Sequence, residues 1–225
     1  AHDAVFTWVL RRLAERGLIK GERIGVDAST MEANAALRAI VRRQTGEGYR
    51  EMLTRMAQES GIETPTAEEL IRLDRKRNGK TLSNAEWESP TDPEARIAKL
   101  KDGRTHLAYK PEHAMDLDTG AVVAAEMHSA DRGDTATLPG TLGSAARHLA
   151  AVEAAPSAEA PAEMVADKGY HSREVLKDLE DSAWKSRIAE KERKEFARWH
   201  GDDAARRNHG GRDPQTGSHD QPDQQ

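Results

Sequence analysis

Cysteine is absent from all 225 residues. That excludes disulfide cross-links and thiolate zinc sites, and it accords with a reducing compartment. Aromatic residues are scarce at 4%, so a core has to be assembled from Ala, Val, Leu and Ile. No apolar run approaches the ~20 residues of a membrane-spanning helix, and no signal peptide precedes the amphipathic stretch Ala4 to Leu13. The expected location is therefore the cytoplasm. A dominant charge is also lacking: 34 basic against 39 acidic residues leave a net −5, so bulk electrostatics do not mark a nucleic-acid binder.

Charge of both signs is plentiful. Charged residues make up 32% and mean hydropathy is −0.82, which points to solvated helices around a core domain of roughly 100 to 150 residues. Basic residues gather at Arg38, Arg42 and Arg43, at Arg72, Arg75, Lys76, Arg77 and Lys80, and at Arg187, Lys191, Arg193, Lys194 and Arg198. Each cluster reads equally well as a solvated face balanced by nearby Glu or as a contact for an anion.

Along the chain, Val5 to Arg16 carries apolar residues at helical spacing and ends at Gly17, a suitable C-cap. Arg23 to Asp27 is a short apolar strand that ends on a carboxylate. From Glu32 to Lys80 the pattern is charged and helical: helices are expected over Ala35 to Arg43, over Tyr49 to Gln58, and from Thr66, where Glu69 completes a capping box. Ser83 with Glu86 suggests another cap. Thr105 to Asp116 and Ala121 to Met127 flank Asp118-Thr119-Gly120 as a hairpin. Asp134 is expected to cap a helix to about Leu149, Ala150 to Pro161 to be a loop, and Glu163 to Asp167 to be a second strand ending on a carboxylate. Ser172 then caps a helix, and Ser186 to Ala189 makes a last short strand. From Asn208 to Gln225 there is no aliphatic residue, the composition of a disordered tail.

In an α/β sheet, the carboxyl ends of neighbouring parallel strands converge on one edge, where ligands sit. If the strands of Asp27 and Asp167 are neighbours, the two carboxylates can share a hard divalent cation such as Mg²⁺. An Asp after a strand is often only a turn former, so on this ground alone both readings stay open.

The wording of three segments goes further. Gly25-Val26-Asp27-Ala28-Ser29-Thr30 with Glu32-Ala33-Asn34, Lys101 to Lys110 (KDGRTHLAYK), and Val165-Ala166-Asp167-Lys168-Gly169-Tyr170 resemble, in that order, the first-aspartate segment, the hairpin and the second-aspartate segment of DDE transposases of bacterial insertion sequences. The resemblance spans about Val5 to Trp199. It implies an α/β, ribonuclease-H-like mixed sheet with a helical insertion after the first strand. It further implies Mg²⁺ or Mn²⁺ and phosphoryl-transfer chemistry on terminal inverted repeats of DNA, in a cytoplasmic, nucleoid-associated protein that can form homo-oligomers and contacts no membrane. Asp27 and Asp167 match the first two catalytic, metal-holding acids. Lys168 and Tyr170, with Arg104 and Lys110 of the hairpin, are the residues it puts on DNA, and Gly169 would let the turn approach DNA closely. His106 and His113 read better as strand packing or surface residues than as ligands. Asp116, Asp118 and Asp131 read as turn or loop residues.

The family's third acid, a Glu on a helix after the last strand, has no match beyond Ile188. Glu190, Glu192 and Glu195 lie in a charged segment outside that signature. The expected organisation is a remnant of an N-terminal helical region over 1–20, an incomplete catalytic core over 21–200 with its insertion at about 32–90, and a disordered tail over 201–225. Such a fragment is expected to have little activity on its own. Two other readings stand beside it: a DNA-binding product that modulates an intact transposase, and a divergent metal-dependent nuclease using Glu190 or Glu195 as a third ligand.

Overall fold

The computed structural model describes residues 2–78, 82–100 and 103–190. The expected tail over 201–225 and the basic residues Lys80, Lys191, Arg193, Lys194 and Arg198 lie outside the described residues, as do Glu192 and Glu195.

In chain order the elements are α1 (His2–Ala14), β1 (Arg23–Ala28), β2 (Met31–Glu32), β3 (Val41–Arg42), α2 (Tyr49–Glu59), α3 (Ala67–Lys76), β4 (Trp87–Glu88), β5 (Arg96–Lys99), β6 (Thr105–Asp116), β7 (Val122–Ser129), α4 (Asp134–Ala150), β8 (Ala162–Ala166), α5 (Arg173–Glu180) and β9 (Trp184–Ile188). Seven strands form a mixed sheet of order β2-β6-β1-β8-β9, with β5 and β7 also hydrogen-bonded to β6; β3 and β4 form a separate pair. The pairs β1–β8 and β8–β9 are parallel.

The chain divides into two compact units. Among the described residues, those within 28–112 and 127–132 form one, and those within 2–27, 113–126 and 133–190 form the other. The second unit is built on β1, β8 and β9, and α1, α4 and α5 contribute to its core. That core is Leu10, Ile24, Val26, Leu138, Leu142, Leu149, Met164, Tyr170, Leu176, Trp184 and Ile188, with Ala114, Ala124 and Ala145 between them. Aliphatic side chains dominate it, as the shortage of aromatics requires.

The other unit collects its own core from Ile40, Met52, Leu53, Leu70, Trp87, Ile97 and Leu107. Its few aromatics are placed where they serve twice. Tyr49 meets Trp87 edge-on at 5.6 Å, the Arg42 guanidinium lies over Trp87 at 5.0 Å, and Arg77 lies over Tyr49 at 5.7 Å. The capping box forms as the sequence predicts: Glu69 N donates to Thr66 Oγ1 at 3.3 Å, and Thr66 N donates to Glu69 Oε2 at 2.8 Å.

Two local expectations fail here. Residues 35–43 are not an α-helix but a short 3₁₀ turn, Leu37–Ala39, followed by β3, which pairs with β4 through Val41–Glu88 and Arg42–Trp87. Ser83 caps no helix. Its hydroxyl accepts from Ala85 N at 3.1 Å, and Trp87 N donates back to Ser83 O at 3.0 Å, closing a turn into β4.

Candidate active site at the carboxyl ends of two parallel strands

In strand β1 the apolar alternation of Ile24 and Val26, both buried, gives way to the exposed Asp27 just before the strand ends at Ala28. Strand β8 buries Ala162, Met164 and Ala166 and ends there, with the exposed Asp167 next. The parallel register runs Arg23–Glu163, Ile24–Met164, Gly25–Val165 and Val26–Ala166. The next step in that register sets Asp27 beside Asp167. Since partners in register point to the same face, both carboxylates leave the sheet on one side, and both are exposed.

Asp167 also makes the turn. Its Oδ1 accepts from Gly169 N at 2.7 Å, opening a short 3₁₀ turn, Lys168–Tyr170. The turn-forming role and a ligand role therefore coexist, because one carboxylate has two oxygens and about four lone pairs. On the other side of β1, hydrogen bonds from Leu117 N to Arg23 O and from Ser29 N to Pro111 O bracket an antiparallel pairing with β6. That pairing brings the exposed His113 opposite Asp27.

Gly169 serves a purpose the sequence does not reveal. A Cβ built there would collide with Asp134 Oδ2 and come within 2.8 Å of Asp167 Oδ1. The missing side chain makes room for two carboxylates, an observation independent of any approach of DNA. Asp134 was expected as the cap of its helix; the cap is Gly133, and Asp134 is in the first turn of α4.

The residues expected on DNA separate into two kinds. Lys168 and Arg104 are exposed. Tyr170 is 1% exposed, with its ring in the hydrophobic core, and Lys110 is 6% exposed. Lys110 Nζ donates to Arg132 O at 3.4 Å and lies 3.7 Å from the fully buried Glu112. As the chain stands, neither Tyr170 nor Lys110 is presented to a ligand at the surface. Several basic residues of the clusters are paired with acids: Arg42 with Glu47, Arg43 with Glu88, Arg77 with Asp74 and Arg187 with Glu163. For these the balanced-face reading holds.

Asp116 is more than a turn residue. Fully buried, its carboxylate accepts from the backbone N–H groups of Lys20 at 2.6 Å, Gly21 at 2.9 Å and Asp118 at 3.0 Å. It fastens the segment leading into β1. Asp118 pairs with Arg23, which holds its carboxyl below the ordinary aspartate value. His106 bonds Glu32 at 2.8 Å.

Among the described residues, no three His, Asp or Glu side chains already stand in a common ligating arrangement. Glu190 therefore does not complete a preformed set with the two aspartates. The donor chemistry nonetheless fits a hard divalent ion, which takes one or two protein carboxylates and fills its octahedron with water and phosphate oxygens. The cradle at Gly169 keeps carboxylate oxygens together at that edge.

The family model of the transposase DDE domain matches residues 26–221. No curated protein and no solved structure matches the chain. Members of this family generally use divalent metal ions and act on DNA. Among the described residues no helix is long and apolar enough to cross a membrane. With the mixed sheet and the order of its strands, the match shows that the chain belongs to the transposase DDE domain family and has its α/β, ribonuclease-H-like fold.

Proposed function

We propose that Asp27 and Asp167 are the first two acids of the transposase site, and that they hold Mg²⁺, or Mn²⁺ in its place, at the ends of insertion-element DNA. The observation that carries this reading is the parallel register of β1 and β8, whose next step brings the two carboxylates side by side. A bound divalent ion would supply positive charge for the phosphoryl transfer. The carboxylates would fix its position, and Lys168 beside Asp167, with Arg104 on the hairpin, would contact the phosphates of the terminal inverted repeats.

The chain offers no sequence match to the third acid after Ile188. Because phosphoryl transfer depends on positioning, two acids without the third support binding of ion and DNA with little strand transfer by this chain alone. The missing match also favours a second reading, in which the chain occupies inverted repeats without cutting them and modulates an intact transposase in the nucleoid.

The test is a pair of assays on DNA carrying the element's own ends. Salt-dependent binding that prefers inverted repeats, weakened by Lys168→Ala and Arg104→Ala, is expected. Metal-dependent strand transfer at ordinary transposase rates, abolished by Asp27→Ala and by Asp167→Ala, would keep the site assignment and overturn the low activity. Binding with no preference for the inverted repeats would remove the DNA reading.

A further inference from the structure

We propose that the unit spanning 28–112 and 127–132 carries a phosphate-contacting cleft of its own, in which Arg38 and Arg50 hold the DNA backbone. The inference rests on the reading of the chain as a DNA-binding transposase core. It adds a contact surface that the resemblance to the family does not assign.

The cleft lies wholly within that unit and has a volume of about 420 Å³. One wall is the 3₁₀ turn Leu37–Ala39, which leaves Arg38 exposed while Ile40, just after it, is buried. The other wall is α2. That helix buries Met52, Leu53 and Ala57 and lines the cleft with a different stripe, Arg50, Thr54 and Gln58, at i, i+4 and i+8. Tyr49 N donates to Ile40 O at 3.2 Å, which fastens the start of α2 to the end of the turn. Arg38 and Arg50 are thereby held on the two walls of one opening.

Charge decides what the cleft can take. Three arginines line it, Arg38, Arg50 and Arg55, against one acid, Glu51. Arg55 is already held by Glu47 at 2.9 Å and by Glu59 at 3.0 Å. Glu51 is turned to its own helix start, where it accepts from Gly48 N at 3.0 Å. Arg42 and Arg43, of the same sequence cluster as Arg38, are likewise paired with Glu47 and Glu88. Arg38 and Arg50 differ: both are exposed, and among the described residues neither guanidinium is bonded to an acid. A guanidinium is a planar fork of N–H donors that matches phosphate oxygens and keeps its charge at any working pH. Two unclaimed forks on one cleft suit phosphate. Their exposure suits a duplex backbone lying across the opening better than a small anion enclosed within it.

The experiment is fluorescence anisotropy of the full chain with two labelled duplexes, one carrying the element's inverted repeat and one of scrambled sequence, over a range of KCl concentrations. The proteins are the native chain, the double variant Arg38→Gln with Arg50→Gln, the conservative double variant Arg38→Lys with Arg50→Lys, and Lys168→Ala. A control, Arg43→Gln with Arg187→Gln, removes the same charge from arginines already paired with acids. Each is checked for folding by circular dichroism. The glutamine pair at 38 and 50 is expected to weaken both duplexes alike, by about tenfold or more near 0.1 M salt, and to lower the salt slope by about two. The lysine pair should keep most of the slope, and the control pair should leave it near the native value. An unchanged slope and affinity in the folded glutamine pair, while Lys168→Ala weakens binding, would overturn the cleft and leave the DNA reading in place. An equal loss in the control pair would also overturn it, because net charge alone would then account for the effect. Inorganic phosphate, titrated calorimetrically, separates the two sources of the anion. Phosphate bound by the native chain and lost in the glutamine pair, with DNA affinity the same in both, would overturn the backbone contact in favour of a free-anion site. No binding of either duplex by the native chain would overturn the cleft and the DNA reading together.

Discussion

Asp27 and Asp167 follow the last paired residues of two adjacent parallel strands, one step beyond the Val26–Ala166 pair. The register that buries Val26 and Ala166 turns both acids to the opposite face, towards solvent. Folding the core and assembling the acid pair are thus one event. An ion held by this pair in the folded chain alone would feed into stability. We expect Mg²⁺ to raise the thermal midpoint of the native chain, by an amount equivalent to about 2.7 kcal/mol at a hundredfold excess over Kd. In Asp27→Asn and Asp167→Asn most of that rise should vanish, and calorimetric scans with and without the ion would read it. An equal rise in both variants would count against the pair.

Removing the buried Asp116 should damage the fold, not the ion site. Its three backbone donors would each lose an acceptor, at about 1–3 kcal/mol for every N–H left unsatisfied. We expect Asp116→Ala to lower unfolding stability by about 3 kcal/mol or more in urea, and Asp116→Asn to fall between it and the native chain. A loss below about 1 kcal/mol in the alanine variant would contradict the clamp.

Two glycines separate backbone strain from crowding. Gly17 and Gly21 both have positive φ, 69° and 71°. Nothing lies within 4 Å of a Cβ added at Gly17, whereas at Gly21 it would strike the backbone carbonyl oxygen of Ala154. Gly17→Ala should cost about 1 kcal/mol and Gly21→Ala roughly 3 kcal/mol. Equal costs would show that the loop carrying Ala154 gives way.

The Thr66–Glu69 capping box predicts a titration. Hydrogen bonding first from the Thr66 backbone N–H and then from its hydroxyl holds the Glu69 carboxyl below its ordinary 4.5. Because the folded value is the lower one, the stabilisation is present above 4.5 and is lost as pH falls through the folded value. Thr66→Ala removes the hydroxyl alone and should move the Glu69 titration, followed by NMR of its carboxyl carbon, part of the way back. A titration indifferent to Thr66→Ala would contradict the assignment.

Much of this was legible in the sequence. Short apolar runs ending on Asp located β1 and β8, Asp118-Thr119-Gly120 located the hairpin, and Thr66 with Glu69 located α3. Residues 35–43 were misleading because Ala-Ala-Leu-Arg-Ala favours a helix locally, and pairing of Val41 and Arg42 with β4 overrides that weak preference. Strand β6 hid its interior for another reason. Its buried face carries Lys110, Glu112 and Asp116 beside Ala108 and Ala114, so a reading that sends charge outward inverts part of the strand. The approach of Asp134 to Asp167 depends on the packing of α4 against the turn at Gly169, a tertiary relationship that leaves no local pattern.

Whether Asp27 and Asp167 together hold a divalent cation can be read from crystals of the chain soaked in Mn²⁺ and measured at a wavelength where manganese scatters anomalously. We expect an anomalous peak between the two carboxylates, within about 2.0–2.3 Å of an oxygen from each. Saturating Mn²⁺ that produces no peak there, or a peak held by other residues while Asp27 and Asp167 stay unliganded, would contradict it.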